Sequence, residues 1–568
     1  MTSLRGALGL DLPPRAAPLG FKFPALSQRL QAQSGLGLAF DAKLKRAQED
    51  PTAVFELIKD RVKHLNRCAL STRQRQQLTN EVTQLFFEPA LQVCHPQPTA
   101  AAVPEPAERR KRVLLAAEIS HILMVSNQIL FNSYYQLSNF QFQRARAKFQ
   151  QAGVRVMELF QLTQQLKALR YQLPDQNDWR ALHTVLHTLQ AHDRIDQPRR
   201  TLKHQLGLES PQSVASLFIG AVIFDFFKPL QWPTQLQWVT LSYLKSVAKS
   251  VRLVFQPCHQ PARRDVIATP APLSATQPES SQVVLDCAVL FTHIRTDCLA
   301  LIKALRSKKM ADVPARLAKF KEQERLVVAH TLLHALDQTA PEPASEHSHP
   351  LQDLRLFVGF SGVFALLQHQ QGEFAHEERL ADALAKRSAI MAQDHHSGQS
   401  TLWTLVHETP SRIRLSTQES SYTTPLSVGS LLAYGMGEAI KHPCLAVVAR
   451  LERVSSNTVL LDLAVLSHYA EPVVITLHHH QQNVGHRALL IASQNIFWRW
   501  GLLLPPMDVL PGVDEFVMIR QGQPMPLDLE TLRMATPDFS LFSTQLSTTE
   551  LGFDAVPNPT QPSLGSNL

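Results

Sequence analysis

Helical periodicity governs the N-terminal two-thirds of the chain. From Val54 to Leu65, apolar residues recur every three or four positions, a pattern typical of an amphipathic helix. Similar stretches follow and are separated by proline-containing breaks such as Leu173–Asp178, where we expect one helix to stop and the next to begin. A long helix that begins near Glu108 is expected to break at Gly153. These patterns predict an α-helical domain over residues 51–255.

From Leu402 to Ile475 the pattern changes to short apolar runs separated by turn residues, which is typical of a small β-barrel or sandwich. Leu354–Phe360 is predicted as a first strand, and Val363–Met391 as a helical insert before the strands resume. After Ile475, further short apolar runs such as Trp498–Leu504 predict a second, smaller β-unit. The predicted fold class is therefore α+β with several domains, mostly α-helical in its N-terminal two-thirds.

Proline-rich stretches and changes of periodicity set the predicted domain boundaries. The predicted segments are a weakly ordered leader (1–50), the α-helical domain (51–255), a linker (256–282), a helical pair (283–339), a hinge (340–350), a β-barrel with a helical insert (351–475), a small β-unit (476–545) and a disordered tail (546–568).

Composition and charge describe an ordinary globular protein. The chain has 568 residues, of which 44% are hydrophobic and 18% charged, enough for several buried cores. The formal net charge of +8 is spread thinly, and the densest basic cluster, Arg109–Arg112, is expected on a solvated helix face. Nucleic acid is therefore not an expected partner, and charge-driven association with RNA or DNA is only a third hypothesis.

Cysteine usage and hydropathy together predict a cytoplasmic protein. The six cysteines are scattered and form no CxxC motif, which favours reduced, buried thiols. The most apolar long stretch, Leu114–Phe131, is interrupted by Glu118 and His121. A membrane span needs about 20 consecutive, predominantly apolar residues, so we expect a buried helix there and no membrane span.

Recognisable catalytic motifs are missing from the sequence. His183 and His187 are one helical turn apart, as are His330 and His334, but neither pair belongs to an HExxH motif or has a nearby third ligand, so structural roles are favoured. We find no glycine-rich phosphate loop, no GxSxG motif and no paired-carboxylate context. The sequence predicts no catalytic or metal-binding residues and disfavours an enzyme.

One polar loop, Glu408–Leu415, carries chemistry suited to ligand binding. It holds an acid, two hydroxyls and two guanidinium groups between two apolar strand segments. Arginine forks bind phosphate or a guanine edge with two hydrogen bonds. The alternative is an ordinary charged hairpin connection, and spacing alone favours that alternative.

The layout resembles proteobacterial proteins with a long α-helical N-terminal region and a C-terminal PilZ-type barrel, the barrel class that binds cyclic di-GMP. The resemblance is carried by Leu354–Leu366, Trp403–Leu415, Val428–Leu432, Ala446–Leu451 and Leu461–Leu466.

Two ligand-binding motifs of that family are degenerate here. The RxxxR motif falls on Leu351–Arg355 and keeps only its second arginine. The D/NxSxxG motif falls on residues 407–412, where His407 replaces the acid or amide, Thr409 keeps a hydroxyl and Arg412 replaces the glycine. A bulky side chain in place of glycine prevents close approach of the backbone to a ligand.

The resemblance implies a non-enzymatic cytoplasmic adaptor that couples cyclic di-GMP to motility, pilus or biofilm machinery. The ligand would bridge Arg355 and the loop and move the barrel against the helices across the 340–350 hinge. The alternative is a degenerate PilZ-like scaffold that binds only protein partners. The ligand-binding residues implied by the resemblance are Arg355, Glu408, Thr409, Ser411, Arg412 and Arg414.

Overall fold

A computed structural model describes most of the predicted domains. The predicted leader, apart from residues 47 and 50, the 340–350 hinge, residues 372–391 of the helical insert and the tail beyond residue 546 lie outside the described residues. The structure describes residues 47, 50–68, 70–94, 107–137, 139–256, 266–268, 282–306, 312–320, 322–337, 353–371, 401–409, 411–418, 426–436, 443–454, 458–479, 482–493, 499–506, 516–520 and 523–546.

The chain forms two compact units. The first comprises Met1–His349 with Arg414–Gly429 and Val448–Asp462. The second comprises Pro350–Ile413, Ser430–Val447 and Leu463–Leu568.

Helices make up most of the first unit, as the N-terminal periodicity predicts. They are α1 (Pro51–Arg67), α2 (Thr72–Cys94), α3 (Ala107–Tyr135), α4 (Asn139–Leu169), α5 (Gln176–Gln190), α6 (Leu202–Gln205), α7 (Val214–Phe226), α8 (Thr234–Val247), α9 (Ala288–Arg306) and α10 (Glu322–Asp337), with 3-10 turns at Pro229–Gln231 and Ala248–Ser250.

Helix α1 illustrates why these segments are helical. Asp50 caps its start by accepting a hydrogen bond from the Thr52 amide at 2.9 Å, and proline occupies the first helical position. Both features satisfy or remove backbone N–H groups that have no partner inside the helix. On the predicted apolar face, Ile58, Val62 and Leu65 are buried, and Val54 and Leu57 are half-buried.

The break in the long predicted helix lies elsewhere than expected. Helix α3 ends at Tyr135 and α4 begins at Asn139, so α4 runs without interruption through Gly153. A Cβ atom at residue 153 would lie 2.7 Å from Cδ1 of Leu189 on α5. The glycine at position 153 therefore permits a close helix–helix approach, and the prediction of a break there is wrong.

Helix α3 contains the one described stretch that is long and apolar enough to cross a membrane, Lys111–Tyr135. In the structure 72% of its most apolar window is buried inside the protein. Two of its polar side chains are bonded inside the protein: the Ser120 hydroxyl donates to the Leu159 carbonyl at 3.0 Å, and the Ser126 hydroxyl donates to Asn66 Oδ1 at 2.6 Å. These contacts are those of a core helix, as predicted.

A small sheet replaces the end of the predicted α-helical domain, part of the predicted linker and the start of the predicted helical pair. Strands β1 (Arg252–Gln256), β2 (Val266–Ala268) and β3 (Gln282–Asp286) form an antiparallel sheet in the order β1-β3-β2. The helix expected from residue 283 begins at Ala288 instead. The two consecutive valines of β3 favour a strand, and the Asp286 side chain accepts a hydrogen bond from the Ala288 amide at the helix start.

The predicted β-barrel is a closed six-stranded barrel with the order β4-β5-β6-β9-β8-β7. In β5, Thr401, Trp403 and Leu405 are buried and alternate with more exposed residues, so one face lines the barrel interior. The strands are β4 (Asp353–Val358), β5 (Thr401–Glu408), β6 (Arg412–Gln418), β7 (Leu431–Met436), β8 (Cys444–Arg453) and β9 (Thr458–Ser467).

The predicted small β-unit is a second closed six-stranded barrel, with the order β10-β11-β12-β15-β14-β13. Counted from its own first strand, its order is the same as in the first barrel. It starts at Ala470, so the boundary predicted at residue 475 falls inside its first strand. The strands are β10 (Ala470–His479), β11 (Gln482–Ala492), β12 (Trp500–Leu504), β13 (Phe516–Arg520), β14 (Gln523–Ala535) and β15 (Ser540–Leu546).

Helix α11 (Phe360–Gln371) fills the space between strands of the two barrels. It begins directly after β4 and confirms the N-terminal part of the predicted helical insert. One apolar cluster contains residues from the helix, from the first barrel and from the second barrel: Phe360, Val363, Phe364, Leu367, Leu431, Ala433, Leu445, Val447, Leu489, Ile491, Leu503, Phe539 and Leu541.

Asp538, in the turn between β14 and β15, fixes this cluster at one end. Its carboxylate accepts a hydrogen bond from the Leu431 amide at 2.8 Å and another from the Phe360 amide at 3.5 Å. The second donor is the first residue of α11, where the positive end of the helix dipole stabilises an anion. One side chain of the second barrel thus contacts both β7 and the start of α11.

We predict that Asp538→Ala lowers the free energy of unfolding of the β part, the two barrels together with α11, by about 1–3 kcal/mol. The reason is that the buried Leu431 amide loses its hydrogen-bond acceptor. Denaturant unfolding followed by tryptophan fluorescence measures this change. Asp528→Ala, which removes an exposed carboxylate on β14, is the matched control and should unfold like the wild type. Equal unfolding midpoints for the two variants would contradict the role assigned to Asp538.

Candidate functional site

The polar loop predicted to bind a ligand is a tight turn between β5 and β6. The Thr409 amide donates to the Arg412 carbonyl at 2.7 Å, and the Arg412 amide donates to the Thr409 hydroxyl oxygen at 3.0 Å. The Ser411 carbonyl accepts a hydrogen bond from the Val465 amide at 3.0 Å. The Thr409 hydroxyl therefore closes the turn, as in the alternative interpretation of an ordinary hairpin connection.

Arg414 is held by a carboxylate of the same barrel. Its Nε and Nη2 atoms donate to the two oxygens of Asp462 on β9 at 2.6 and 3.0 Å. This two-point geometry is the strongest arrangement of an arginine–carboxylate pair. The Asp462 hydrogen bonds raise the pKa of Arg414 above its ordinary value. A ligand that used this guanidinium would have to compete with Asp462.

Arg355 lies at the far end of the barrel from the turn. It is on β4, opposite Leu402 at the start of β5, whereas Glu408 ends β5. The six residue steps from Leu402 to Glu408 span about 20 Å at the rise of a β-strand. The structure does not bring Arg355 to the turn, and bridging of the two by one dinucleotide stays a prediction.

Four of the six predicted residues do share one place. Glu408, Thr409, Ser411 and Arg412 lie at the β5–β6 turn, and both Ser411 and Arg412 are exposed. The turn thus presents an acid, a hydroxyl and a guanidinium to solvent. The geometry suits a surface contact, because no second chain segment among the six predicted residues faces the turn to enclose a ligand.

Sequence reasoning missed Asp462, the partner of Arg414. The residue is 48 positions away in the chain and becomes a neighbour only because β6 pairs with β9. A signal existed, since Asp462 is a charged position between the buried Leu461 and Leu463 and therefore faces outward. The strand pairing needed to use that signal was not known from the sequence.

A fully paired charge network lies in the second barrel. Arg520 donates through Nη2 to Glu471 at 2.8 Å, and the Tyr469 hydroxyl donates to the same carboxylate at 3.0 Å. Arg520 and Glu471 are buried. Since the charges already satisfy one another, this network is a structural feature of the barrel.

The predicted histidine pair His183 and His187 is part of the helical core. The two rings are 6.2 Å apart and contact Phe218 and Phe255 respectively. Burial, with a smaller contribution from His187, lowers the pKa of His183 to about 4, and burial also lowers the pKa of His187. Both imidazoles are therefore neutral at pH 7. Within the described ranges, no group of three or more His, Cys, Asp or Glu side chains is placed to hold a metal ion.

Comparison with known proteins finds no match. No family model matches the chain, and no curated protein or solved structure matches it either.

The buried histidines predict a loss of stability in acid. Unfolded His183 takes up a proton around its ordinary pKa of 6.5, whereas the pKa of folded His183 is about 4. The unfolded state therefore binds more protons than the folded state between these two pH values. Stability should therefore fall as the pH drops from 6.5 to 4, by about 3 kcal/mol for this group. Urea unfolding followed by circular dichroism at pH 7 and pH 4.5 measures the change.

In that experiment His183→Gln should flatten the pH dependence, because glutamine does not titrate. His293→Gln, which removes a half-buried histidine of α9, is the control and should keep the wild-type slope. A His183→Gln variant with an unchanged slope would show that other groups cause the acid sensitivity.

Proposed function

We propose that this chain is a non-enzymatic adaptor whose PilZ-like barrel serves contact with a protein partner instead of cyclic di-GMP. The observation that carries the proposal is the separation of the implied ligand groups: Arg355 lies about 20 Å along β5 from the turn, and Arg414 is paired with Asp462. In this proposal the barrel has kept its fold, but the groups that would bind the ligand no longer lie together.

Energetics support the loss of dinucleotide binding. Each good two-point contact between an arginine and a guanine contributes about 1–3 kcal/mol of discrimination, and every 1.4 kcal/mol is about tenfold in affinity. A ligand held at the turn gains no contact with Arg355 and must displace Asp462 to use Arg414. Arg412 also adds bulk where the resembling family has a glycine that lets the ligand approach.

The outward face of β5 supports a protein-binding role. Leu402 and Val406 lie on this face with exposed fractions of 51% and 42%. Arg355 is the cross-strand neighbour of Leu402, and Glu408 ends the same row. An apolar centre bordered by charged groups is the usual composition of a protein–protein contact surface.

A second candidate function is that of a cyclic di-GMP effector acting on motility, pilus or biofilm machinery. It is favoured by one observation, the presence of Ser411 and Arg412 together at an exposed turn. These groups could hold one phosphate of the ligand without Arg355.

Titration calorimetry with cyclic di-GMP separates the two functions. We expect no saturable heat from the full chain at ligand concentrations up to about 100 μM. Arg412→Ala and Arg355→Ala should behave like the wild type, as should Arg499→Ala, which removes an exposed arginine of the second barrel. Saturable binding that disappears in Arg412→Ala and persists in Arg499→Ala would overturn the adaptor proposal in favour of the effector.

A further inference from the structure

A polar cavity of about 230 Å³ lies among the helices of the first unit and opens to solvent, since several of its lining residues are exposed. Residues of α2, α3, α4 and the segment 200–205 line it. A single water molecule needs only about 10–15 Å³ of such space, so this cavity has room for a small organic molecule. It is distant in sequence from the barrel residues considered above and carries different chemistry.

Positive charge distinguishes the cavity. Lys148, Arg155 and Arg200 line it, and none of its described lining residues is acidic. The side chains of Lys148 and Arg200 are exposed to solvent, and neither forms an ion pair with another described residue. Two uncompensated cations that face one concave space attract an anion more strongly than the same charges on an open surface, because the low-dielectric walls focus the field.

The third cation, Arg155, is buried, with only 8% of its side chain exposed. One of its terminal nitrogens donates to Glu158 at 2.9 Å. Glu158 also accepts hydrogen bonds from the amides of Leu202 and Lys203, at 2.7 and 3.1 Å. The carboxylate is thus shared among three donors, and burial lowers the pKa of Arg155. Glu158 already balances the charge of Arg155, so the net positive charge of the cavity comes from Lys148 and Arg200, and Arg155 offers a ligand its remaining N–H groups.

Neutral groups suited to hydrogen bonding complete the lining. The amide side chains of Asn80, Gln84 and Gln205 face the cavity and make no hydrogen bond to another described residue. An amide offers both a donor and an acceptor. A ligand with polar groups in addition to its charge would therefore find partners on several sides.

The segment that carries Arg200 is fixed in place. Gln151 donates to the Arg200 carbonyl at 2.8 Å, and the Arg199 Nε atom donates to Gln150 at 2.8 Å. The wall is thus held before any ligand arrives, which reduces the entropy that binding must overcome.

From this arrangement we infer that the helical unit binds a small organic oxyanion, a carboxylate or a phosphate ester, in the cavity lined by Lys148, Arg155 and Arg200. The carboxylate or phosphate oxygens contact the three cations, and the remaining polar groups of the ligand contact the amides. The inference does not depend on the adaptor proposal, since it concerns different residues.

The test uses the full chain with inorganic phosphate and citrate as probes, at constant ionic strength set with sodium chloride. Titration calorimetry and thermal unfolding are measured together. We expect saturable binding of at least one probe and a rise in the unfolding temperature. The double variant Lys148→Gln/Arg200→Gln should weaken that binding at least tenfold. Arg144→Gln, which removes an exposed charge on the same helix outside the cavity, should bind like the wild type.

A steric variant separates the cavity from the surface. Ala152→Leu adds bulk to a lining residue without changing charge, and it should abolish binding. Thermal unfolding without probe first establishes that each variant is folded. The inference is overturned if neither probe binds saturably, or if binding is unchanged in the double variant or in Ala152→Leu. Preference for phosphate or for citrate identifies the ligand class.

Discussion

The apolar layer around α11 is the interaction on which the β part of the molecule depends. Strands β7, β8, β11 and β12 send alternate side chains into their own barrel and into this layer, so both of their faces are buried. Each fully buried Leu, Val or Phe stabilises the fold by about 1.5–3 kcal/mol relative to exposure. Without α11, the outward faces of these strands would expose their apolar side chains to water. Asp538 fixes the positions of β7 and the start of α11 in this layer. Its carboxylate accepts hydrogen bonds from two backbone amides that apolar packing cannot satisfy.

This layer explains two kinds of strand in the sequence. The runs Leu431–Tyr434 and Ala488–Ile491 are apolar at every position, whereas β14 alternates between buried and exposed residues. Continuous apolar runs are expected where a strand is covered on both faces, and alternation where one face meets water. The chemistry of the barrel follows from the same arrangement. Two of the groups considered for ligand binding lie on an outward face and at a turn, where Arg414 is paired with Asp462 and Thr409 closes the turn.

The helical unit shows the opposite distribution of polarity. Its core contains buried polar side chains, among them Ser120, Glu158 and Gln161, which bond to backbone atoms of neighbouring helices. Such contacts fix the positions of helices relative to one another, since a displaced helix would leave these groups unpaired in the interior. They also leave room for a polar cavity, which uniformly apolar packing would have closed.

Much of the fold could be predicted from the sequence, but little of the candidate site. Helical periodicity found α1 and the core position of α3, because burial of one face imposes a pattern that survives in a single chain. Glycine weakens helices, so Gly153 predicts a break, and only the nearby Leu189 on α5 shows why a glycine is needed there. The strand before α9 was missed because Val283 and Val284 fit either a buried strand or a buried helix.

Most of the helical segments, the start of the two-barrel region and the side chains suited to ligand chemistry can be predicted from the sequence alone. Those properties depend on local periodicity and residue type. Three features follow from the folded structure alone: Arg355 and the β5–β6 turn lie apart, Asp462 contacts Arg414, and the small β-unit is a second complete barrel. These outcomes depend on strand register and on contacts between residues far apart in the chain, and neither leaves a local pattern in the sequence.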